Sequence, residues 1–281
     1  MSQLVQDFLA SWELFGDSYA CAWLASMLLA GIGALLFVRG RAFEGAAIAQ
    51  ASTLGVALGI LATSGLALEH GTREDLLHAI AVLTGIGAAW LAGRAHRGRV
   101  RIGAEARNAW VFLAGASLSL MVVAGSPHGT EEIHRVHASS LLGAGALDLW
   151  VFAAAWVLGF AALLRWHREL RLVFVDRDTA AVLGLPIHRY DLCVTVAIGL
   201  VVGIAIHDTG FLFVFGMLVL PALLARQLVD TFIGLLVLAP VVALVGAVLG
   251  IFLAHGLDLP PGPAVVALLV IAWLPLRLVR R

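Results

Sequence analysis

Long apolar runs alternate with short polar segments along almost the whole of this 281-residue chain. A helix that crosses a membrane needs about 20 consecutive, mostly apolar residues. Nine runs come close to that length: 19–38, 44–64, 76–93, 108–125, 148–164, 190–206, 210–226, 231–253 and 262–278. The pattern predicts an all-α, polytopic membrane protein with about nine transmembrane helices.

The spacing of the later runs indicates where helices are interrupted. Very few residues separate 190–206 from 210–226 and 210–226 from 231–253, so we expect tight turns or a broken helix there. Pro221 lies inside one of these runs, where it removes a backbone donor and favours a kink. Such a kink can line a transport pathway, although lipid-embedded helices also tolerate proline without any special function.

The basic residues are distributed very unequally between the two sides that these runs define. The chain has no lysine, and sixteen of its eighteen arginines lie in alternate gaps or near the C-terminus, leaving only Arg73 and Arg135 for the other gaps. Positively charged loops stay in the cytoplasm during membrane insertion. The N-terminus is therefore predicted outside and the C-terminus in the cytoplasm.

Composition supports this picture and narrows the function. Hydrophobic residues make up 61% of the chain and charged residues 13%, against roughly half and a quarter in soluble proteins. The formal net charge is zero, so nothing favours nucleic-acid binding. We expect one transmembrane domain, 1–281, in the cell (inner) membrane and in contact with lipid. Residues 1–18 are amphipathic and lack the basic start of a signal peptide, so we expect an interfacial segment.

The cytoplasmic segment 166–189 contains a short helical pattern. An acidic residue, Asp176 or Asp178, can cap the helix, and Gly184 can end it. Its expected apolar face consists of four residues: Ala180, Ala181, Leu183 and Leu185. A short amphipathic helix between two spans is what a membrane subunit presents to a cytoplasmic partner. A helix that lies at the interface without any partner fits the pattern equally well.

Four blocks of the chain resemble the permeases of the zinc/manganese/iron family of ATP-binding-cassette transporters. Residues 174–186, FVDRDTAAVLGLP, are similar to the family's F-D-P-E-x-A-x-A-L-G-L-P. Residues 210–226 are similar to its G-x-L-L-V-x-A-L-L-V-I-P-A-A-x-A-R, and 257–264 to its L-D-L-P-P-G-P. Residues 45–59 resemble G-D-A-L-S-H-A-x-L-x-G-V-A-L-G. The blocks follow the family's order and cover the chain from end to end.

The resemblance implies a membrane subunit that forms a homodimer and transports zinc, manganese or iron, without binding a cofactor of its own. A cytoplasmic ATP-binding subunit would dock on the 170–187 segment, and an extracytoplasmic substrate-binding protein would deliver the substrate. The chain itself has no Gly-x-x-x-x-Gly-Lys phosphate-binding loop, because it has no lysine. We therefore expect a transport subunit rather than an enzyme, with ATP hydrolysis on a partner chain.

The family's second helix carries an Asp and, four residues later, a His, and this chain departs from both. The matching positions are Ala46 and Gln50, which offer at most one poor ligand for a transition metal. Glu44 is close in sequence but lies about 200° around the helix from Ala46. Two interpretations remain: metal transport with other ligands, or the same scaffold carrying a chelated metal or a non-metal solute.

Other residues capable of binding metal lie on the predicted outer side. His134 and His137 share one face if their loop is helical, and two carboxylates lie near them, those of Glu131 and Glu132. A solvated polar loop is the alternative. His207 and Asp208 lie at an outer turn and are candidates for a ligand pair or for a simple turn. His78 borders another outer loop, at the start of the third run.

Two further classes of function compete with transport driven by ATP. An intramembrane protease would need a Gly-x-Ser-Gly block or a His-Glu-x-x-His pair, and the sequence contains neither. A secondary transporter would need ionisable coupling residues in mid-membrane, and the sequence has almost none there. Both classes are therefore disfavoured.

Overall fold

The computed structural model describes residues 3–63, 70–94, 103–125 and 145–279. In these ranges every regular element is an α-helix, which confirms the all-α class. The helices are α1 (Gln3–Val38), α2 (Ala42–Thr63), α3 (His70–Arg94), α4 (Ala104–Ala124), α5 (Ala146–Val175), α6 (Arg177–Val182), α7 (Ile187–Leu228), α8 (Phe232–Leu257) and α9 (Pro261–Val279).

Seven of the described helices are long and apolar enough to cross a membrane: α1 to α5, α7 and α8. Helix α9 contributes a shorter apolar stretch, Pro261–Pro275. The chain is therefore a multi-pass membrane protein, as its composition predicts. Helix α2 lies at the centre of the bundle, because it packs against α3, α4 and α7 and most of its residues are buried.

Helix α1 contains residues 3–18 of the segment that the sequence predicts to be interfacial, and its position at the interface stays a prediction. From Gln3 the chain is already helical and continues without a break to Val38. Aromatic rings join the first turns to the next turns of α1 and to another helix: Phe8 stacks on Tyr19 at 5.4 Å between centroids and meets the Phe252 ring of α8 edge-on, also at 5.4 Å. The amphipathic pattern of the first residues therefore belongs to the beginning of a long helix.

Helix α5 is also longer than its apolar run. The run ends at 164, but the helix continues to Val175, so part of the predicted cytoplasmic loop is helical. The added residues include Arg165, Arg168 and Arg171, and arginine is a good helix former. The apolar run therefore ends before the helix does, because the helix stops only at the cap residue Asp176.

Helix α7 contains a break at Gly210, where the backbone adopts φ 71° and ψ 166°. Thr195, in the first half, contacts Arg39 at the end of α1, and Leu218, in the second half, lies against Gly33 of the same helix. A straight helix would place Thr195 and Leu218 about 34 Å apart. The second half therefore folds back beside the first, and the predicted runs 190–206 and 210–226 are two antiparallel segments.

Candidate functional site

Close backbone packing joins α3 to the first half of α7. A Cβ atom added to Gly199 would come within 2.6 Å of the Gly85 carbonyl oxygen, and one added to Gly203 within 2.5 Å of the Val82 Cα. Small residues four apart let two helices approach this closely in lipid. The sequence Gly199-Leu-Val-Val-Gly203 therefore fixes the register of α7 against α3.

This register brings a histidine–carboxylate cluster together near the start of α3 and the end of the first half of α7, on the side that the arginine distribution predicts to be outside. His78 Nε2 lies 3.2 Å from Asp208 Oδ1, and His207 Nδ1 lies 3.1 Å from the same oxygen. His207 Nε2 lies 3.1 Å from a carboxylate oxygen of Glu74. The two imidazole rings are 4.3 Å apart between centroids. We call Glu74, His78, His207 and Asp208 the outer cluster.

The outer cluster is largely shielded from solvent. The Asp208 side chain is 7% exposed, those of His207 and His78 are 16% and 23% exposed, and that of Glu74 is 30% exposed. One oxygen of Asp208, Oδ2, is buried and has no hydrogen-bond partner among the described residues. A buried polar atom without a hydrogen-bond partner raises the free energy of the folded state, so a physical explanation for this oxygen is needed.

Imidazole nitrogens and carboxylate oxygens are the donors that zinc, manganese and iron ions use in proteins. One ligand atom from each of His78, His207 and Asp208 can be chosen so that all three lie within 4.8 Å of one another. Sequence reasoning selected His207 and Asp208, and the structure brings His78 and Glu74 to them. The signal that could have found the pairing is the glycine motif of α7, which sets this register.

A second ionic cluster, which we call the inner cluster, lies at the opposite end of the bundle. The Arg39 guanidinium lies 2.8 Å from Asp191 and donates to Thr195 Oγ1 at 2.9 Å. Thr195 in turn donates to Glu44 at 3.1 Å, and Arg41 lies within 4 Å of both carboxylates. Burial lowers the pKa of Arg39, and the nearby Glu44 and Asp191 oppose that shift. The cluster connects the end of α1, the start of α2 and the start of α7.

The short helix predicted after α5 is present as α6. Asp176 caps it by accepting bonds from the Thr179 backbone N–H at 3.1 Å and the Thr179 hydroxyl at 2.7 Å. These bonds lower the pKa of Asp176, because they stabilise its ionised form. After α6, Gly184 adopts φ 70°, which ends the helix where the sequence indicates.

Only part of the predicted apolar face of α6 is covered. Ala180 is buried and Leu185 is half-buried, but Ala181 is exposed and Leu183 is 62% exposed. Asp178 is exposed as well. The helix ends at Val182, so Leu183 and Leu185 lie beyond it and do not form one helical face with Ala180 and Ala181. The segment therefore leaves an uncovered apolar surface.

The family model described as the ABC 3 transport family matches residues 12–280. The chain belongs to the ABC 3 transport family. Its curated relatives in this family include the manganese transport system membrane protein MntC of Halalkalibacterium halodurans, 22% identical over 260 residues, which are 92% of this chain and 85% of that protein. The chelated iron transport system membrane protein YfeD of Yersinia pestis is 28% identical over 113 residues, 40% of this chain and 38% of that protein.

Solved structures support the fold of this permease. PsaBC from Streptococcus pneumoniae, in complex with Fab, superposes with a TM-score of 0.80 at 18% identity and covers 97% of this chain and 95% of that one. An inward-facing transporter described as of the metal-chelate ABC type superposes with a TM-score of 0.75 at 19% identity. That match covers 99% of this chain and 90% of the other.

The two positions that match the Asp and His of the family motif, Ala46 and Gln50, are buried in the centre of the bundle. Ala46 is fully buried and Gln50 is 4% exposed. The Gln50 side-chain oxygen has no hydrogen-bond partner among the described residues. Glu44 is 3% exposed and belongs to the inner cluster, where Arg39 and Arg41 lie beside its carboxylate.

Two further groups of candidate functional residues come from the sequence. Pro221 is buried in the second half of α7, within the helix that folds back at Gly210. The proposed metal contacts Glu131, Glu132, His134 and His137 lie outside the described residues. For these four the ligand role stays a prediction.

Proposed function

We propose that this chain is the permease subunit of an ABC importer for divalent metal ions, with manganese and iron ahead of zinc. The observation that carries the proposal is the family match over residues 12–280. The names of relatives support the cargo, since they refer to manganese and to chelated iron. Two copies of the chain form the pathway, an extracytoplasmic binding protein delivers the ion, and a separate ATP-binding subunit supplies the energy.

The proposed topology has nine crossings, with the N-terminus outside and the C-terminus in the cytoplasm. The fold-back at Gly210 supports two crossings within Ile187–Leu228, and α9 supplies the last one. The unequal distribution of arginine supports the orientation. In this orientation the outer cluster faces the binding protein, and the inner cluster faces the ATP-binding subunit.

The proposed docking surface for the ATP-binding subunit is α6 with the ends of its neighbours. Val182 and Leu183 are 88% and 62% exposed, and Val175 is 58% exposed, which makes an uncovered apolar surface in a cytoplasmic segment. The adjacent Phe174 ring lies 5.4 Å from the Arg39 guanidinium. A push on α6 would therefore reach α1, α2 and α7 through the inner cluster as a rigid-body movement.

A chelated metal is the second candidate cargo. The observation that favours it is the replacement of the family's Asp and His by Ala46 and Gln50, which removes two strong ligands for a bare ion. The relative named for chelated iron and the solved transporter described as of the metal-chelate type point in the same direction.

Uptake in the native cell tests the function with whatever partner subunits that cell supplies. We expect deletion of the gene to lower the saturable uptake of at least one of ⁵⁴Mn, ⁵⁵Fe and ⁶⁵Zn, and complementation with the intact chain to restore it. A tagged chain should co-purify an ATP-binding subunit from the same membranes. Unchanged uptake of all three free ions, with loss of ferric-chelate uptake, would select the second candidate. Unchanged uptake of ions and chelates alike would refute both.

A further inference from the structure

We infer that the outer cluster is a binding site for one divalent transition-metal ion, with His78, His207 and Asp208 as ligands and Glu74 as the group that orients the histidines. Its place in the transport pathway rests on the proposed function, whereas ion binding itself does not. No position of the family motif falls in this cluster, so the inference depends on the geometry of these four residues.

Hydrogen bonds hold both imidazole rings in the orientation that metal binding needs. His78 Nδ1 lies 3.1 Å from the Glu74 backbone carbonyl oxygen, and a carbonyl can only accept, so Nδ1 is the donor. His207 Nε2 likewise faces the Glu74 carboxylate, at 3.1 Å. The second nitrogen of each ring, His78 Nε2 and His207 Nδ1, is thereby directed at Asp208. Metal-binding histidines are oriented in this way, with the other ring N–H donated to a carbonyl or carboxylate.

Two of the three distances between the ligand atoms are close to the edge of a tetrahedral coordination site. Ligands about 2.0–2.1 Å from a tetrahedral zinc ion lie about 3.3–3.4 Å from one another. The two nitrogen–oxygen distances to Asp208 Oδ1 are 3.2 Å and 3.1 Å. The three ligand atoms all lie within 4.8 Å of one another, close enough to share one ion after rearrangement of the side chains. The unpartnered Asp208 Oδ2 supplies a further donor atom on the same carboxylate.

Charge also favours a cation at this position. Two carboxylates, those of Glu74 and Asp208, lie in a largely buried cluster with two imidazoles. A divalent ion bound to Asp208 neutralises its carboxylate while the imidazoles remain neutral ligands. A buried charge that is paired in this way avoids most of the penalty of desolvation.

The location suits an ion that moves inward from outside. Leu77, beside His78, lies against Gly59 of α2, and Gly59 is nine residues outward from Gln50. At 1.5 Å per residue the outer cluster lies about 13 Å outside the family's second-helix positions. It thus offers the strong ligands that Ala46 and Gln50 lack, nearer the side from which a binding protein would deliver the ion.

Binding to the purified full-length chain tests this site directly. The protein carries a tag without histidine and is titrated with Co²⁺, whose visible absorption reports ligation, and with Zn²⁺ and Mn²⁺ in competition. We expect Asp208→Asn and His78→Gln each to weaken binding at least ten-fold, as loss of a ligand or its support typically does. His188→Gln, which changes an exposed histidine at the start of α7, far from the cluster along its first half, should leave binding unchanged.

A second measurement covers the case in which a variant does not fold. In the wild-type chain, Zn²⁺ should protect His78 and His207 from modification by diethylpyrocarbonate, read by mass spectrometry, and should leave His188 reactive. Equal metal affinity in wild type and Asp208→Asn, or equal histidine reactivity with and without Zn²⁺, would overturn the inference. The cluster would then only join α3 to α7 by hydrogen bonds. Because these assays contain no ATP-binding subunit, that result would leave the uptake experiment, and the proposed function, untouched.

Discussion

Arg39 has a charged side chain with only 2% of its surface exposed, in a protein that otherwise buries mainly apolar groups. The cost of burying it is offset because Asp191 and Glu44 lie beside it and the Thr195 hydroxyl oxygen accepts a hydrogen bond from it. Sequence reasoning placed Arg39 among the cytoplasmic arginines but could not find these partners. Asp191 and Thr195 are more than 150 positions away along the chain, and only the tertiary structure brings them close.

Replacing Arg39 with glutamine should destabilise the protein. The substitution leaves Asp191 and Glu44 with Arg41 as their remaining positive partner, and removal of one member of a buried ion pair costs about 3–5 kcal/mol. We expect a clear fall in the unfolding midpoint, measured by heating and by detergent titration of the purified chain.

Arg226→Gln is the matched control for that prediction. Its partner Asp230 lies 3.9 Å away, and the two side chains are 46% and 79% exposed. Exposed pairs contribute only about 0–1 kcal/mol, so the midpoint should change little. Equal shifts of the unfolding midpoint in the two variants would contradict the prediction that the buried ion pairs of the inner cluster stabilise the protein more than an exposed pair does.

At the scale of the helix, the apolar runs located several elements well. The runs 44–64 and 108–125 correspond to α2 (Ala42–Thr63) and α4 (Ala104–Ala124) within a few residues. Hydropathy reports the part of a helix that lies in lipid, so it underestimated α1 and α5, whose ends extend beyond it. Local chemistry predicted a cap at Asp176 or Asp178, of which the structure has Asp176, and the terminator Gly184, because both effects act over a few residues.

The packing of α3 against α7 gives a prediction that compares two glycines. A Cβ at Gly203 would lie 2.5 Å from the Val82 Cα, whereas a Cβ at Gly87 of α3 meets nothing within 4 Å. Gly203→Ala should therefore destabilise by about 1–3 kcal/mol through overpacking. Gly87→Ala should be neutral or stabilise by up to about 1 kcal/mol, since alanine is the better helix former.

Unfolding midpoints of the two variants, measured in the same detergent, check this prediction. Gly203→Ala should also weaken Co²⁺ binding at the outer cluster, because it separates the helices that carry His78 and His207. Similar midpoints for both variants would contradict the close approach of α3 and α7.

The short helix α6 gives a prediction about coupling. Gly184→Val forces a β-branched residue into φ 70°, and replacing Asp176 by lysine removes the cap. Both changes should lower metal uptake while ATP hydrolysis by the purified complex continues, because α6 no longer transmits the movement of the ATP-binding subunit. Uptake and hydrolysis that fall together, or neither changing, would contradict the coupling role.

The pH dependence of the α6 cap follows from the lowered pKa of Asp176. A carboxylate whose pKa is lower in the folded state than in the unfolded state stabilises the fold at pH values above its unfolded-state pKa. That contribution is lost as the pH falls through the lowered folded value. The cap is therefore fully formed at neutral pH, and α6 should loosen only in acid, which hydrogen exchange of the Thr179 amide can measure.

At the scale of the whole molecule, the two polar clusters define an axis through an otherwise apolar bundle. The outer cluster joins α3 to the first half of α7, and the inner cluster joins α1 and α2 to the start of the same helix. Helix α7 thus contacts both clusters and then folds back at Gly210 towards the inner end. A movement of α6 that shifts the inner end of α7 could therefore change the geometry of the outer cluster along one rigid element.

This arrangement requires the outer cluster to face the outside of the cell, and the last prediction tests that orientation. Cys21 is buried and Cys193 is exposed, so both are first replaced by serine or alanine. Single cysteines are then placed at positions 130 and 98, which lie outside the described residues on opposite predicted sides. Arginine-rich loops stay in the cytoplasm, and four of the arginines lie between 94 and 101. A membrane-impermeant maleimide applied to intact cells should therefore label position 130 and not position 98, whereas permeabilised cells should label both. Labelling of position 98 alone in intact cells would invert the protein, place the outer cluster in the cytoplasm and remove it from the proposed path of an imported ion.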